Sequence, residues 1–368
     1  MTQQTELQAM MHSIIQRIAT GPELSKNISQ EEACLGLTGI LKNEVDPIQA
    51  AIFLIALRMK RETWDENKGI LQAILDSADQ VTADIDEVVD IADPYDGYNR
   101  TLPASPFLAP VLAEAGIAVV SHGLNAAGPK YGVTHRHIWQ ALGINVDLTS
   151  TEAAKRLSNN DLGWCYVDQA KYNKPLHDLI PLRTKMIKRS VLTTVEVLCK
   201  PISGRLKTHF VTGYVHKPYP PIYAMLARHA GFESALLIRG VEGGVIPSLR
   251  QAGKYFSYQN GGEEQGFDIN PADLAIQQSL RAPAIPKNLP ANKQLDEINL
   301  PFDTKAVAKA AADAGMSALG GQQGATYDAL VYCGALILQQ VGKADSPAAG
   351  AKQIRAVLDS KKALNRIQ

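Results

Sequence analysis

Residues 87–121 read EVVDIADPYDGYNRTLPASPFLAPVLAEAGIAVVS, and three segments of this stretch have different patterns. Residues 87–92 are typical of a buried strand, residues 107–115 of an apolar helix, and residues 117–121 of a second strand. The loop after the first strand leads into a helix N-terminus, where free amides and the helix dipole favour negative charge. This order of elements predicts a ligand site in residues 93–100.

The loop Asp93-Pro94-Tyr95-Asp96-Gly97-Tyr98-Asn99-Arg100 differs in composition from a phosphate-binding loop. It has one glycine and two acidic residues, and Pro103 and Pro106 follow closely. Few of its amides can therefore approach a pyrophosphate, and its carboxylates would repel one. Its polar groups and aromatic faces suit a sugar, a nucleoside or a base, whereas a hydrogen-bonded double turn is the structural alternative. The ligand-binding candidates here are Asp93, Tyr95, Asp96, Gly97, Asn99 and Arg100.

The composition is that of an ordinary globular protein. With 368 residues, 45% of them hydrophobic, the chain should form one large or two medium domains. Its 37 basic and 37 acidic residues leave no overall field that would attract nucleic acid or an anionic membrane. The four cysteines form no CxxC pair, which disfavours both a zinc site and a disulfide framework. Because no signal-peptide or membrane-spanning pattern is visible, we expect a cytoplasmic location and no membrane partner.

The pattern changes near residue 84. Before it, apolar residues recur at helical spacing, with cap signals at Ser29, Asp46-Pro47 and Thr63. After it, short β-rich runs alternate with helices, which is typical of a mostly parallel sheet flanked by helices. We predict an α/β protein with a small all-helical domain over residues 1–84 and a larger α/β domain over residues 85–368. The predicted strands are 88–92, 118–121, 163–167, 210–215 and 235–239, the later helices are 137–142, 151–157, 221–230, 271–278, 304–314, 325–341 and 347–358, and 280–301 is a predicted linker.

Several segments resemble anthranilate phosphoribosyltransferase and its paralogues. Residues 44–60 are similar to the first helical hairpin of that family, and Ser121-His122-Gly123-Leu124-Asn125 resembles its KHGNR turn. Residues 141–148 resemble its ALG segment, and residues 341–347 with 357–364 look like its closing GKADS and DSG segments. The resemblance implies a phosphoribosyltransferase-like α/β domain, a homodimer formed through the N-terminal helices, and a hinge at which residues 171–190 pack.

The resemblance also places the family's functional residues. Its GTGGDG pyrophosphate loop falls on residues 93–98, where Asp96 and Gly97 look related. Its Asp-Glu pair, which holds magnesium, falls on Val245-Ile246, and two apolar side chains cannot ligate a hard cation. Magnesium is a possible cofactor only through substitute ligands, of which Glu242 is the candidate, with Glu263 and Glu264 nearby. Carried over as ligand-binding candidates are Arg183, the family's acceptor-carboxylate arginine, with Arg189, His122, Gly123, Asn125 and Lys130.

Cations are concentrated in two segments. Lys130 and Arg136 are candidates for phosphate or ribose contact, and the neighbouring His122, His135 and His137 have poor spacing for a metal site. Residues 171–207 contain Lys171, Lys174, Arg183, Lys185, Lys188, Arg189, Lys200, Arg205 and Lys207 against only Asp178 and Glu196. This segment is interpreted as a solvated face, as a cleft for a small anionic acceptor, or as a groove for single-stranded nucleic acid.

The sequence supports two functional hypotheses. The first is a divergent phosphoribosyltransferase that binds a phosphorylated ribose-type ligand and a small anionic acceptor other than anthranilate. The alternative is a non-catalytic member of the family that binds nucleic acid through the basic groove, and the neutral net charge favours the first. We also predict a homodimer, because residues 50–57 and 70–75 carry more apolar surface than a small helical domain can bury alone.

Overall fold

A computed structural model describes residues 3–21, 23–289 and 302–367. The chain begins with a bundle of helices whose ends match the predicted caps. Ser29 and Thr63 each form a capping box with the glutamate three residues later, and Asp46 accepts hydrogen bonds from two amides of the helix that begins at Pro47. The helices of this bundle are α1 (Gln3–Ile18), α2 (Gln30–Leu41), α3 (Pro47–Lys60) and α4 (Trp64–Ser77).

A seven-stranded sheet follows, with strand order β4-β3-β2-β6-β7-β8-β9. The pairs from β4 to β7 are parallel, and β8 and β9 add an antiparallel edge. Strand β2 lies inside the sheet and is almost entirely buried, as its β-branched run requires. The strands are β1 (Val81–Thr82), β2 (Glu87–Ala92), β3 (Ala118–Gly123), β4 (Trp164–Asp168), β5 (Ile202–Ser203), β6 (Lys207–Tyr214), β7 (Ser234–Arg239), β8 (Gly253–Tyr258) and β9 (Gln265–Ile269), of which β1 and β5 form a separate parallel pair.

Helices cover both faces of this sheet. Val88 and Phe210 pack towards the N-terminal bundle, whereas Val89 and Val211 pack against the C-terminal helices. The helices are α5 (Leu108–Glu114), α6 (His135–Ala141), α7 (Ser150–Leu157), α8 (Gln169–Tyr172), α9 (Lys174–His177), α10 (Ile180–Met186), α11 (Leu192–Val195), α12 (Tyr219–His229), α13 (Thr304–Leu319), α14 (Ala325–Gln340) and α15 (Pro347–Ser360), with 3-10 turns at Ser105–Phe107, Glu196–Leu198, Val241–Gly243, Pro271–Leu274 and Lys362–Arg366. The α/β class and the mostly parallel sheet are confirmed.

Three expectations need correction. Residues 271–278 form only the short turn Pro271–Leu274, because Ala275 adopts a left-handed conformation that ends it. The sequence interpretation missed β8 and β9. The apolar runs at residues 50–57 and 70–75 are largely buried inside the bundle, where α1 packs on α3 and α2 on α4, so only half-buried residues such as Ile52 and Ile55 remain of the exposed surface expected of them.

Two other expectations stay predictions. The division near residue 84 falls between α4 and β2, and the short helices α9 and α10 contact α4 and α3 respectively, within the expected hinge segment. The predicted linker at 280–301 lies partly outside the described residues. No helix of the described chain combines the length and the apolar character needed to cross a bilayer.

Candidate functional site

The candidate site lies where the parallel strands end. The loops after β2, β3 and β7 meet at this edge, and they bring together residues 93–101, 124–134 and 240–246. In open parallel sheets the carboxyl edge is the usual position for a ligand. A separate cavity of about 560 Å³ opens at the opposite edge and is lined by Glu87, Gly163 and His209 among others. The predicted residues belong to the carboxyl edge and not to that cavity.

The loop after β2 is a tight turn held against the loop after β3. Gly97 has a φ of 73°, and its amide donates to the carbonyl of Pro94 at 3.0 Å. A Cβ at Gly97 would lie 2.6 Å from the carbonyl carbon of Gly132, so both the turn and the close approach require glycine. Tyr98 and Val133 exchange backbone hydrogen bonds of 2.9 and 2.7 Å. One hydrogen-bonded turn, over residues 94–97, is therefore present in this loop, and ligand binding by the loop stays a prediction.

Asp93 is a buried anchor. Its carboxylate accepts hydrogen bonds from the Tyr98 hydroxyl at 2.8 Å, the Val245 amide at 3.0 Å and the Ser105 hydroxyl, and it lies 2.9 Å from His135 Nε2. Burial opposes ionisation, but His135 together with the two hydroxyls holds the pKa of Asp93 below its usual value. With its oxygens already engaged, Asp93 fixes the loop to its neighbours.

His122 and Tyr95 belong to a buried chain of hydrogen bonds. His122 Nε2 lies 2.6 Å from a carboxylate oxygen of Asp90, and its Nδ1 contacts the Tyr95 hydroxyl. The Tyr95 hydroxyl also lies 2.5 Å from that of Tyr172. One consistent assignment has Nε2 donating to Asp90 and Nδ1 accepting from Tyr95. Burial raises the pKa of both tyrosines, so each remains a neutral phenol.

Asp96 joins two predicted cations. One carboxylate oxygen lies 3.2 Å from Lys130 Nζ, and the other accepts from the Arg189 guanidinium at 2.6 Å. Lys130 also donates to the backbone carbonyl of Glu242 at 3.2 Å. The side chain of Arg189 is 43% exposed, so this pair lies at the mouth of the site. The three loops and the segment before β5 are thus tied together by charge.

Glu242 occupies an unexpected position. Its carboxylate accepts hydrogen bonds from the amides of Asn99 and Arg100 at 3.2 and 3.1 Å, and from the Thr101 hydroxyl at 2.8 Å. The residue has a φ of 56°, which is uncommon for any residue other than glycine. The Glu242 carboxylate is therefore the anion that the amides of Asn99 and Arg100 bind.

Arg183 is paired inside the protein. Its guanidinium donates to both carboxylate oxygens of Glu196 at 2.6 Å, and both side chains are buried. This is the bidentate geometry in which arginine binds carboxylates. An acceptor carboxylate would have to compete with Glu196, and binding of an acceptor by Arg183 stays a prediction.

The remaining predicted residues lie at the margin. Arg136 pairs with Asp168 at 3.1 Å and Asp147 at 3.0 Å. Gly123 ends β3, and Asn125 is exposed. Lys188 is exposed, as is Lys185, and neither side chain forms a hydrogen bond or ion pair with another described residue. Their role in ligand binding stays a prediction.

The predicted basic groove is largely neutralised. Besides Arg183 and Arg189, Lys174 pairs with Asp178, Arg205 with Asp84 and Asp86, and Lys207 with Glu87, while Lys200 donates to a backbone carbonyl. Lys171, Lys185 and Lys188 are exposed and form no salt bridge with another described residue, and Lys188 directly precedes Arg189 at the mouth of the site.

A metal site is not apparent at this edge. Across the described ranges, no group of three or more His, Cys, Asp or Glu side chains is arranged to hold a metal ion. Val245 and Ile246 are buried in the core, and Glu242 is held by the loop amides. The three histidines are also engaged separately, because His122 contacts Asp90, His135 contacts Asp93, and His137 caps α6.

Sequence reasoning missed the partners of the predicted residues. Asp90 and Tyr172 complete the His122 chain, and Thr101 completes the Glu242 contacts. Glu196 is the exception, since its isolation among cations in residues 171–207 was a visible signal of pairing. Asp90, Tyr172 and Thr101 lie far in sequence from the residues that they contact, and no shared motif links them to these partners.

The chain thus joins a helical bundle to a mostly parallel sheet, and its candidate site lies at the carboxyl edge of that sheet. The model of the glycosyl transferase family a/b domain matches residues 96–286, and that of the family's helical bundle domain matches residues 12–78. The chain therefore belongs to this glycosyl transferase family, which includes the anthranilate phosphoribosyltransferases.

Its relatives agree with this assignment. An uncharacterized protein of Aquifex aeolicus is 30% identical over 222 residues, which span 60% of this chain and 65% of that protein. Anthranilate phosphoribosyltransferase of Nitrobacter hamburgensis is 25% identical over 270 residues, 73% of this chain and 76% of the enzyme. Anthranilate phosphoribosyltransferase of Saccharomyces cerevisiae in complex with PRPP and Mg superimposes with a TM-score of 0.72 at 16% identity, over 98% of this chain and 96% of the yeast chain, which shows a shared fold.

Proposed function

We propose that this family member binds a phosphorylated ribose-type ligand at the carboxyl edge of the sheet and does not perform magnesium-dependent transfer to anthranilate. The observation that carries the second part of this proposal, the missing magnesium-dependent transfer, is the burial of Val245 and Ile246. These residues lie at the position that the family resemblance gives to the magnesium carboxylates. Transfer from a pyrophosphate ester needs a cation to stabilise the leaving group. Without such ligands this reaction loses its main electrostatic support.

The phosphate would bind at the mouth of the site. Arg189 and Lys130 share Asp96, so either cation can turn towards a ligand while the other still neutralises that carboxylate. Arg183 is a poorer candidate, because its release would leave Glu196 buried without a partner. A small anionic acceptor is then expected to contact Arg189 and Lys188 rather than Arg183.

The second candidate function is binding of single-stranded nucleic acid without catalysis. It is favoured by Lys185 and Lys188, which are exposed, and by Tyr131, whose ring is 37% exposed beside Lys130. Aromatic faces that stack bases, next to cations that bind phosphates, are the usual elements of such a surface. A nucleic acid is a chain of ribose or deoxyribose units joined by phosphodiesters, so both candidates present a phosphorylated sugar to the site.

One set of titrations tests both candidates. Phosphoribosyl pyrophosphate, with and without magnesium, and a single-stranded oligonucleotide are titrated into the full chain at several salt concentrations. A small-ligand site should bind one ligand per chain with little magnesium dependence, and R189A should weaken it. An oligonucleotide should instead lose affinity steeply with salt, by about −0.7 in log–log slope for each phosphate contact.

Matched variants separate the two outcomes. K185A/K188A removes two exposed cations at the mouth, and K305A/K352A removes two exposed cations elsewhere. If nucleic acid is the ligand, only the first pair should reduce the salt slope, by about 1.4. Strong oligonucleotide binding lost in K185A/K188A would put the second candidate first, and robust magnesium-dependent product formation from anthranilate would refute the first proposal.

A further inference from the structure

Residues 99–101 present several hydrogen-bond donors towards one point. The amides of Asn99 and Arg100 and the hydroxyl of Thr101 all donate to the Glu242 carboxylate. Lys130 Nζ lies 3.9 Å from the same carboxylate. Successive backbone amides with a nearby cation form an anion-binding nest. We call these three residues with Lys130 the 99–101 nest.

The Glu242 carboxylate accepts three hydrogen bonds in this nest. Its Oε1 accepts from both the Arg100 amide and the Thr101 hydroxyl, whereas Oε2 accepts from Asn99 and faces Lys130. Three donors thus hydrogen-bond to its two oxygens and Lys130 faces one of them, whereas a phosphate would offer three terminal oxygens and a larger charge. In addition, the Nε of Arg100 is buried and has no hydrogen-bond partner among the described residues. Glu242 therefore leaves one buried donor of this segment, the Nε of Arg100, without a partner in the described part of the chain.

The backbone of Glu242 is also strained at this contact. The residue is held at a φ of 56° on a 3-10 turn, a conformation that is unfavourable for a non-glycine residue. Its side chain is only 6% exposed, and its backbone carbonyl accepts from Lys130. A strained residue whose carboxylate fills a nest is a contact that a stronger anion can replace.

We propose that the 99–101 nest is a latent phosphate-binding site that Glu242 occupies with its own carboxylate, so that a phosphate group binds only by displacing it. The inference deepens the proposed function, on which it rests for the class of ligand. It makes Glu242 the residue that sets the selectivity of the site: weakly charged anions fail to displace it, and phosphate monoesters and pyrophosphates succeed when other contacts hold them nearby.

The test measures pyrophosphate binding by calorimetry at one fixed pH and salt concentration. E242A removes the carboxylate, and E242Q keeps its shape and one acceptor but removes the charge. Affinity should rise in the order wild type, E242Q, E242A, with E242A at least about tenfold tighter than wild type, the equivalent of one charge-assisted hydrogen bond. Adding K130A to E242A should remove most of this gain.

The control is E263Q, which removes an equal charge from an exposed turn between β8 and β9 and should leave the affinity unchanged. If E242A does not fold, E242Q decides. Folded variants of Glu242 that bind pyrophosphate no more tightly than wild type and E263Q would overturn the inference. E242A could bind pyrophosphate more tightly than wild type while wild type binds neither phosphoribosyl pyrophosphate nor the oligonucleotide. This result would support the nest and refute the proposed function. The reverse result would refute the nest alone.

Discussion

Arg183 and Glu196 form a buried ion pair near the site, with two contacts of 2.6 Å. Removing one partner leaves a buried charge without compensation, so R183M should lower the free energy of unfolding by about 3 to 5 kcal/mol. The double variant R183M/E196M removes both charges and should recover most of that loss. Urea unfolding of the three proteins measures this coupling. Full stability of R183M would instead indicate a guanidinium kept free for ligand.

The side chain of His137, at the start of α6, should make the stability of the protein depend on pH. Burial and the neighbouring Arg136 charge lower the pKa of His137 to about 4, and its Nδ1 accepts from the Thr134 amide at 3.1 Å. In the unfolded chain the ring protonates near its usual pKa of about 6.5, so between these values the unfolded state binds more protons. Stability should therefore fall as the pH is lowered from about 6.5 towards 4, by roughly 1 to 2 kcal/mol for a partly exposed ring.

H137Q provides the comparison for this effect. Glutamine at the same position preserves the capping box and does not titrate. Urea unfolding at pH 7 and pH 5 should give a smaller difference in H137Q than in wild type. Identical pH profiles for the two proteins would show that another group causes the dependence.

The turn after β2 depends on Gly97 for two separate reasons, and Gly143 isolates one of them. Both glycines have positive φ, at 73° and 75°, but an added Cβ meets nothing within 4 Å at Gly143. G143A should cost about 1 to 2 kcal/mol from backbone strain alone. G97A adds a clash with the backbone of Gly132 and Val133, and should cost about 1 to 3 kcal/mol more. Equal losses in thermal unfolding of the two variants would exclude this tight packing.

Elements were easier to predict than contacts. Caps such as Asp46-Pro47 and β-branched runs such as residues 88–92 are local signals, and the structure confirms both. Strands β8 and β9 were not predicted because their aromatic and polar residues follow no clear alternation. Their pairing also joins separate segments of the chain, which a local pattern does not show. The contacts of Asp96 with Arg189 and of Glu242 with Asn99 join residues 93 and 143 positions apart. No spacing rule in a single sequence encodes such pairs.

At the scale of the whole molecule, α3 carries an unpartnered apolar face. Ile48 and Met59 are 71% and 73% exposed, and Ile52 and Ile55 lie half-buried at helical spacing between them. A homodimer formed through this face would bury it in a self-complementary contact. We predict that wild type sediments as a dimer at micromolar concentration and that I48E/M59E sediments as a monomer.

L206E is the control for this prediction, because Leu206 is an equally exposed apolar residue near the start of β6. It should leave the sedimentation of the wild type unchanged. A monomeric wild type at micromolar concentration would contradict the prediction.

The ion pairs at the carboxyl edge have a consequence for how ligands arrive. Asp96 and Glu242 with Lys130 and Arg189, and Arg183 with Glu196, are groups without net charge, and the potential of such a group declines more steeply with distance than that of a single charge. Solution ions weaken it further beyond about 8 Å. An anion diffusing towards the protein therefore responds first to the lone charges of Lys185 and Lys188 on the rim. The interior of the cleft exerts its attraction only after that first encounter.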